Sequence, residues 1–343
     1  MAKTILGVDI GHDRLKLALV KGGQVLKTVS APMPENLLRD GRITSRESMA
    51  ELIRTTMKEN GMHAGHAAFV LPNETVFVKN VNMPQMTIDQ LEYNLPFEFN
   101  DYITGELKDY IFDYAVVSDP EEEKPAEEAT DSESGENGGG TLELMAVGTL
   151  RAVVEDAQET LRKAGLRLVR VAPGISDFIE LLRANRASLE IPSEEYAILD
   201  LGYREIRMYM FKKDRHVATR ALEMGMSSLD TVLEEAYGVD VHLAHTYLMT
   251  NYEDCQQREE CRAAYENIAV ELMRALNFYR FSNPSSALGD MWFCGGGAVI
   301  EPLAEVIAEM LNIQLHSADE LVAGGDKIEE CNSFVQAIGI TMG

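Results

Sequence analysis

The chain has 343 residues, 45% of them apolar and 25% charged, and its 31 Lys and Arg face 56 Asp and Glu for a formal net charge of −25. That composition supplies one large or two medium globular domains with a full core, while the acidic balance excludes the basic face that nucleic-acid phosphates or anionic lipids demand. No run approaches the ~18 apolar residues of a membrane span; the first apolar run ends at Asp9 and is no secretory signal, and Cys255, Cys261, Cys294 and Cys331 have neither disulfide-framework nor metal-ligand spacing, so a reducing cytoplasm is expected.

In chain order, residues 3–9, 15–20 and 25–31 predict a three-stranded meander. Helical spacing runs over 45–60, with Ser45 or Ser48 as N-cap, and strands return at 67–71 and 76–81. Thr87 followed by Gln90 is a capping-box pattern that opens a helix over 87–100. Strands at 110–117 and 141–149 flank residues 119–140, which hold nine acidic residues, one Lys and no large apolar side chain. Such a segment buries nothing to offset its ordering entropy, so it reads as a disordered loop tipping a long hairpin. A tolerated insertion is the simpler account of it; an acidic docking tail is the functional one. Helices are predicted at 151–164 and 173–187, then a second meander at 196–200, 206–211 and 217–222. Helices at 227–237 and 259–281, a short buried strand at 291–294 and a helix at 302–311 follow. Hairpins mixed with helices make an α/β chain rather than a plain βαβ alternation.

The two meanders resemble each other. A shift of 191 residues superposes Asp9 on Asp200, Gly11 on Gly202, Lys16 on Arg207 and Lys21 on Lys212. Each copy is a strand, an Asp-x-Gly turn and an alternating strand, which predicts two related domains facing across a cleft. In such a turn the strand delivers a carboxylate at its tip, and the glycine lets backbone N–H groups point outward to phosphate oxygens. The carboxylate holds Mg²⁺ through water, because Mg²⁺ keeps much of its hydration shell. A third element follows the strand at 291–294: Gly295, Gly296, Gly297 and Ala298, where glycines allow a flat ligand close to the backbone at a helix start. Ile300 occupies the place of a third fingerprint glycine, which excludes a dinucleotide fold, and no Walker-type lysine loop is present.

Asp9-x-Gly11, Asp200-x-Gly202, the Gly295–Ala298 run and a terminal helix at 334–343, in this order, resemble the actin-like ATPase superfamily, a duplicated ribonuclease H-like fold. Within it the chain is similar to the PilM family of type IV pilus assembly proteins. Met83-Pro84-Gln85-Met86-Thr87, Leu91-Glu92, Pro96-Phe97-Glu98-Phe99, Val171-Ala172-Pro173, Gly225 and Leu276 to Arg280 carry that resemblance. It implies subdomain 1A from 1–80, 169–190 and 330–343. Subdomain 1C would span 81–168, and domain 2 would span 191–329, with 2B around 238–285. It implies ATP and Mg in the interdomain cleft at Asp9, Gly11, His12, Lys16, Asp200, Gly202, Tyr203, Gly295, Gly296, Gly297 and Ala298, with Asp9 and Asp200 holding Mg through water. It further implies a groove between 1A and 1C for the N-terminal peptide of a PilN-like bitopic membrane protein. Phe69, Val78, Val81, Leu91, Leu95 and Phe99 are candidates there, because an extended peptide needs apolar pockets beside a strand edge. The protein would then sit in the cytoplasm, peripheral to the inner face of the membrane through that partner. FtsA, a relative with a C-terminal amphipathic membrane helix, fits less well, since this sequence stops at Gly343.

The sequence departs from the superfamily after each turn. His12-Asp13-Arg14 and Tyr203-Arg204-Glu205 replace small hydroxyl or glycine residues. Asp13 repels phosphate unless it helps hold Mg²⁺, Arg14 and Arg204 offer compensating charge, and Tyr203 fills part of the cleft. Residues 171–174 offer no carboxylate or amide to position water, Asp177 being the nearest, so the protein is at most a weak ATPase. A small-molecule kinase of the same superfamily and a nucleotide-free scaffold or filament protein are the alternatives. His242 and His245, three apart without a third ligand nearby, read as a capped or exposed helix pair rather than a metal site.

Overall fold

The computed structural model describes residues 3–117, 141–185, 193–213 and 215–343; the acidic segment 119–140 lies outside the described residues. The first meander forms as expected: β1 (Thr4–Ile10), β2 (Arg14–Lys21) and β3 (Gln24–Pro32). After a small hairpin of β4 (Leu38–Arg39) and β5 (Arg42–Ile43), α1 (Arg46–Glu59) begins where the Ser45 hydroxyl accepts the Ser48 N–H. β6 (His66–Leu71) then runs parallel to β1. With β10 (Arg167–Pro173) the sheet reads β10-β6-β1-β2-β3.

Between those strands the chain leaves for a second, smaller sheet. β7 (Val76–Pro84), β8 (Tyr110–Val116) and β9 (Thr141–Leu150) pair as β7-β9-β8, all antiparallel. The hairpin expected around the acidic segment is therefore present. α2 (Ile88–Asn94) carries the full capping box of Thr87 and Gln90. It stops at Asn94 and continues as a tighter turn over Leu95–Phe99, because Pro96 removes an N–H donor and forbids an unbroken helix to 100. Val81, Met83, Leu91, Leu95, Phe99, Leu144 and Ala146 close a core of their own here. α3 (Arg151–Lys163) packs with α1 on the first sheet.

The second meander repeats the first. β11 (Glu195–Leu201), β12 (Ile206–Lys212) and β13 (Arg215–Leu222) join β14 (Asp290–Cys294) and β15 (Gln314–Ser317) in the order β13-β12-β11-β14-β15, which matches β3-β2-β1-β6-β10. Register confirms the duplication. Asp9 pairs with Lys16, and Asp200 pairs with Arg207. Even the irregularity recurs: a bulge falls between Leu19 and Val20 and, at the same shift, between Met210 and Phe211. Outside this sheet α5 (Ser227–Tyr237), α6 (Val241–Thr250), α7 (Glu259–Ser282) and α8 (Glu301–Leu311) share one core. The short strands β10 and β15 and the helix α6 were not among the predicted elements.

Two helices lie between the sheets. α4 (Gly174–Asn185) and α9 (Val335–Gly339) pack with Ala18 and Val20 of one sheet and Tyr196, Ile198, Tyr209, Phe211 and Trp292 of the other. α9 is five residues long, not the ten expected. Its contacts are backbone-close: a Cβ on Gly7 would stand 1.7 Å from the Ala337 carbonyl oxygen, so only glycine lets α9 lie on β1. At the other side of α9, a Cβ on Gly339 would meet the Asp177 carbonyl oxygen at 2.5 Å. Glycine thus lets these helices approach strand and helix backbone closely, in addition to the side-chain core they share with both sheets.

Candidate functional site

The two Asp-x-Gly turns meet at the mouth between the sheets. Asp9, Gly11, His12 and Lys16 line one wall of a cavity of about 120 Å³; Asp200, Gly202, Tyr203 and Gly296 line the other. Each turn needs its glycine. A Cβ on Gly11 would stand 3.1 Å from the Arg14 carbonyl oxygen, and one on Gly202 would approach the Glu205 carbonyl oxygen to 2.5 Å. The duplicated sequence thus builds a symmetric pair of strand tips that deliver Asp9 and Asp200 to one space.

Those carboxylates are held at a cost. Burial raises the Asp9 carboxyl above its ordinary value, with Lys16, 3.7 Å away, opposing the rise. Burial raises Asp200 to about 6; Lys16 pulls it down and Asp9 pushes it further up. Gln336 of α9 donates from Nε2 to Asp200 Oδ2 at 3.1 Å. Two buried carboxylates therefore share one ammonium and one amide, and a divalent cation would stabilise the pair as no neutral group can. The donor set fits Mg²⁺: hard oxygens, few in number, with room for water between. Asp9 and Asp200 are the residues that would hold it, and the ion would supply positive charge between ligand phosphates.

The remaining predicted residues divide. Of the glycine run only Gly296 reaches the cavity, with open space over it. A Cβ on Gly295 would stand 2.5 Å from Asp200 Oδ1, and one on Gly297 would stand 2.4 Å from Met226 Sδ; Ala298 is buried. These three shape the wall from behind rather than line it, a correction forced by how tightly the run packs on β11 and Met226. His12 bonds Glu74, and Arg14 donates from Nε to Ser30 Oγ at 2.9 Å. Asp177 does not line the cavity. It is fully buried beside α9, and neither carboxylate oxygen has a hydrogen-bond partner. Burial holds its carboxyl well above the ordinary value.

The groove candidates also divide. Phe69 is buried in the first sheet's core, and Val81, Leu91 and Leu95 are buried within the small domain. Only Val78 and Phe99 of the six border a cavity, one of about 260 Å³ where the small sheet meets Ile175 and Tyr209. The rest are corrected to core: Phe69 packs within the first sheet's core and the other three within the small domain's, and all four are buried.

Sequence reasoning missed residues that tertiary structure brings in. Gln336, Glu74 and His245 line the cleft although no motif marks them. His245 and His242 do lie on one helix, N-capped by Asp240, but they are not free on its surface. His242 Nε2 lies 2.9 Å from Glu35 Oε1, and His245 Nε2 lies 3.1 Å from Asp13 Oδ1, both carboxylates belonging to the opposite half. Among the described residues no cluster of three or more potential metal ligands exists. Tyr203 does fill part of the cleft, standing edge-on to His245 at 5.5 Å between rings.

Two five-stranded sheets of matching order, crossing helices between them and paired Asp-x-Gly turns at the mouth define an actin-like ATPase fold. Solved structures bear this out. The chain is similar to the PilM-PilN type IV pilus biogenesis complex, with a TM-score of 0.81 and 21% identity over 98% of this chain and 97% of that one. It is similar to the ethanolamine utilization protein EutJ from Carboxydothermus hydrogenoformans, at 0.61 and 13% over 100% and 89%. MreB 5 of Spiroplasma citri bound to AMPPNP follows at 0.52 and 10% over 99% and 95%. Comparison with curated protein sequences gives no match. The family described as type IV pilus assembly protein PilM matches residues 7–323, and the chain belongs to that family.

Proposed function

We propose that this protein is an actin-like adaptor of type IV pilus assembly that binds Mg-ATP in its interdomain cleft and the N-terminal peptide of a PilN-like membrane protein beside its small domain. The observation that carries the reading is family membership together with a shape that follows the PilM-PilN complex over 98% of the chain. The small domain of β7, β8, β9 and α2 takes the part of subdomain 1C. The peptide groove is the 260 Å³ cavity: Val78, Phe99 and Tyr102 come from the small domain, Ile175 from α4, and Tyr209 and Thr219 from the second sheet. It offers apolar pockets beside β7, as strand-edge recognition requires. No described helix is long and apolar enough to cross a membrane, so the partner's own span would place the protein at the cytoplasmic face.

Hydrolysis is at most slow. Gln336, a cleft amide able to orient water, is committed to Asp200, and Asp177 is sealed away. Calorimetric titration tests both halves of the reading. Mg-ATP binds wild type and not the Asp9→Ala, Asp200→Ala double variant. A PilN-like N-terminal peptide binds both, and loses affinity about tenfold or more in Tyr102→Ala, since an aromatic anchor at an interface commonly contributes more than ~1.4 kcal/mol. A peptide whose affinity ignores Tyr102 places the groove elsewhere.

A further inference from the structure

We infer that His245 is the residue of the cleft that reads a ligand's phosphate, and that Asp13 occupies its place as an internal anion, latching the two halves together until a phosphate displaces it. The inference rests on the nucleotide reading above and names the group that couples binding to domain opening.

The geometry begins behind the histidine. Asp230 of α5 is wholly buried, and both its carboxylate oxygens lie 3.1 Å from His245 Nδ1. A buried carboxylate on one ring nitrogen fixes the imidazole plane and points the other nitrogen outward. That other nitrogen, Nε2, faces the cavity and lies 3.1 Å from Asp13 Oδ1. The contact is an ion pair whose alignment falls short of a well-formed hydrogen bond, so Asp13 satisfies the buried Nε2–H poorly. Burial alone would depress the imidazolium, but Asp13 and Asp230 together outweigh it and raise the group to about 10. His245 is therefore a cation lining the cleft, its Nε2–H held loosely by Asp13.

Asp13 neutralises that cation without satisfying it. It sits on the turn between β1 and β2, with its backbone carbonyl fixed by the Met33 N–H at 2.7 Å while its side chain stays a quarter exposed. Three other basic side chains of the cleft are engaged within their own half, Lys16 with Asp9, His12 with Glu74 and Arg14 with Ser30, while Arg204 also lines the cavity. The Asp13–His245 pair joins opposite halves. An incoming phosphate offers three oxygens and more charge than Asp13, and it can align on Nε2–H where Asp13 does not. Displaced, Asp13 returns to water at little cost. His242 and Glu35 repeat the bridge one turn away, but both are about 70% exposed, so that pair is screened and adds little.

The test uses the full chain with spin labels on Lys58→Cys of α1 and Glu235→Cys of α5, both exposed, the four native cysteines being buried. The interlabel distance is measured without ligand, and Mg-ATP and inorganic pyrophosphate are titrated separately. Asp13→Asn broadens or lengthens the distance distribution and strengthens binding of both ligands about tenfold or more. His245→Gln opens the cleft likewise but weakens both. If Asp13→Asn changes neither distance nor affinity, the inference is overturned. If the distance responds but no variant binds either ligand, the phosphate role is overturned too. If pyrophosphate binds Asp13→Asn tightly while Mg-ATP binds no variant, the inference stands and the nucleotide reading falls.

Discussion

Replacing Asp200 by Asn should make this protein more stable, not less, at neutral pH. Burial raises the Asp200 carboxyl from its ordinary 3.8 to about 6. At about 1.4 kcal/mol per pH unit, holding it ionised in the fold costs roughly 3 kcal/mol. The sign follows from linkage: the fold prefers the protonated acid, so the penalty is absent below about pH 4, grows through pH 4 to 6 and is complete above. Asn keeps an oxygen for the Gln336 Nε2–H and carries no charge. At about 2.1 cal/mol/K per residue of unfolding entropy, 3 kcal/mol corresponds to a Tm higher by about 4 °C at this length. The assay is thermal unfolding of wild type and Asp200→Asn at pH 4 and pH 7.5 without divalent metal. The gap should appear at pH 7.5 and shrink toward zero at pH 4. An Asn variant that is less stable at pH 7.5, or a gap that ignores pH, refutes the account of the cleft as a strained pair of carboxylates.

Two further outcomes follow from backbone geometry. Gly7→Ala drives a methyl to 1.7 Å from the Ala337 carbonyl and forces α9 off β1, so urea unfolding should show a loss above ~3 kcal/mol or no folded protein. Thr87→Ala removes the acceptor for the Gln90 N–H and breaks the reciprocal capping box, a loss of about 1 kcal/mol seen as faster amide exchange confined to α2.

The duplication was legible because it is written in local chemistry. A carboxylate at a strand tip, a glycine two residues on and an alternating strand are each set by neighbouring residues, and the pairings of Asp9 with Lys16 and Asp200 with Arg207 follow from them. What failed was any distinction that depends on what lies opposite. Leu91 and Leu95 are apolar whether they line a groove or fill a core, and only packing shows that they face Val81 and Phe99. β15 is four residues, Gln314–Ser317, with one apolar side chain among them and no alternation to read. His245 belongs to the same class: its meaning lies in Asp13, more than 200 positions away. Asp13 itself was seen as a difficulty for phosphate, and that remains true; the structure adds the cation that answers it.

The departures from the usual turn residues could be read as a decayed site, and the electrostatics argue otherwise. A cleft with no use would lose nothing by an amide at 200 and would gain stability from it. Here Asp9 and Asp200 are both kept against burial, with one ammonium between them. The bulkier groups are not loose either: His12 has Glu74, Tyr203 stands against the His245 ring, and His245 is braced by the buried Asp230 carboxylate. Buried carboxylates retained at one spot among ordered neighbours are the pattern of a site waiting for a charged ligand. In a chain of net charge −25 the cleft still gathers Arg14, Lys16, Arg204 and His245 among its carboxylates, so a polyphosphate would meet positive charge there at close range.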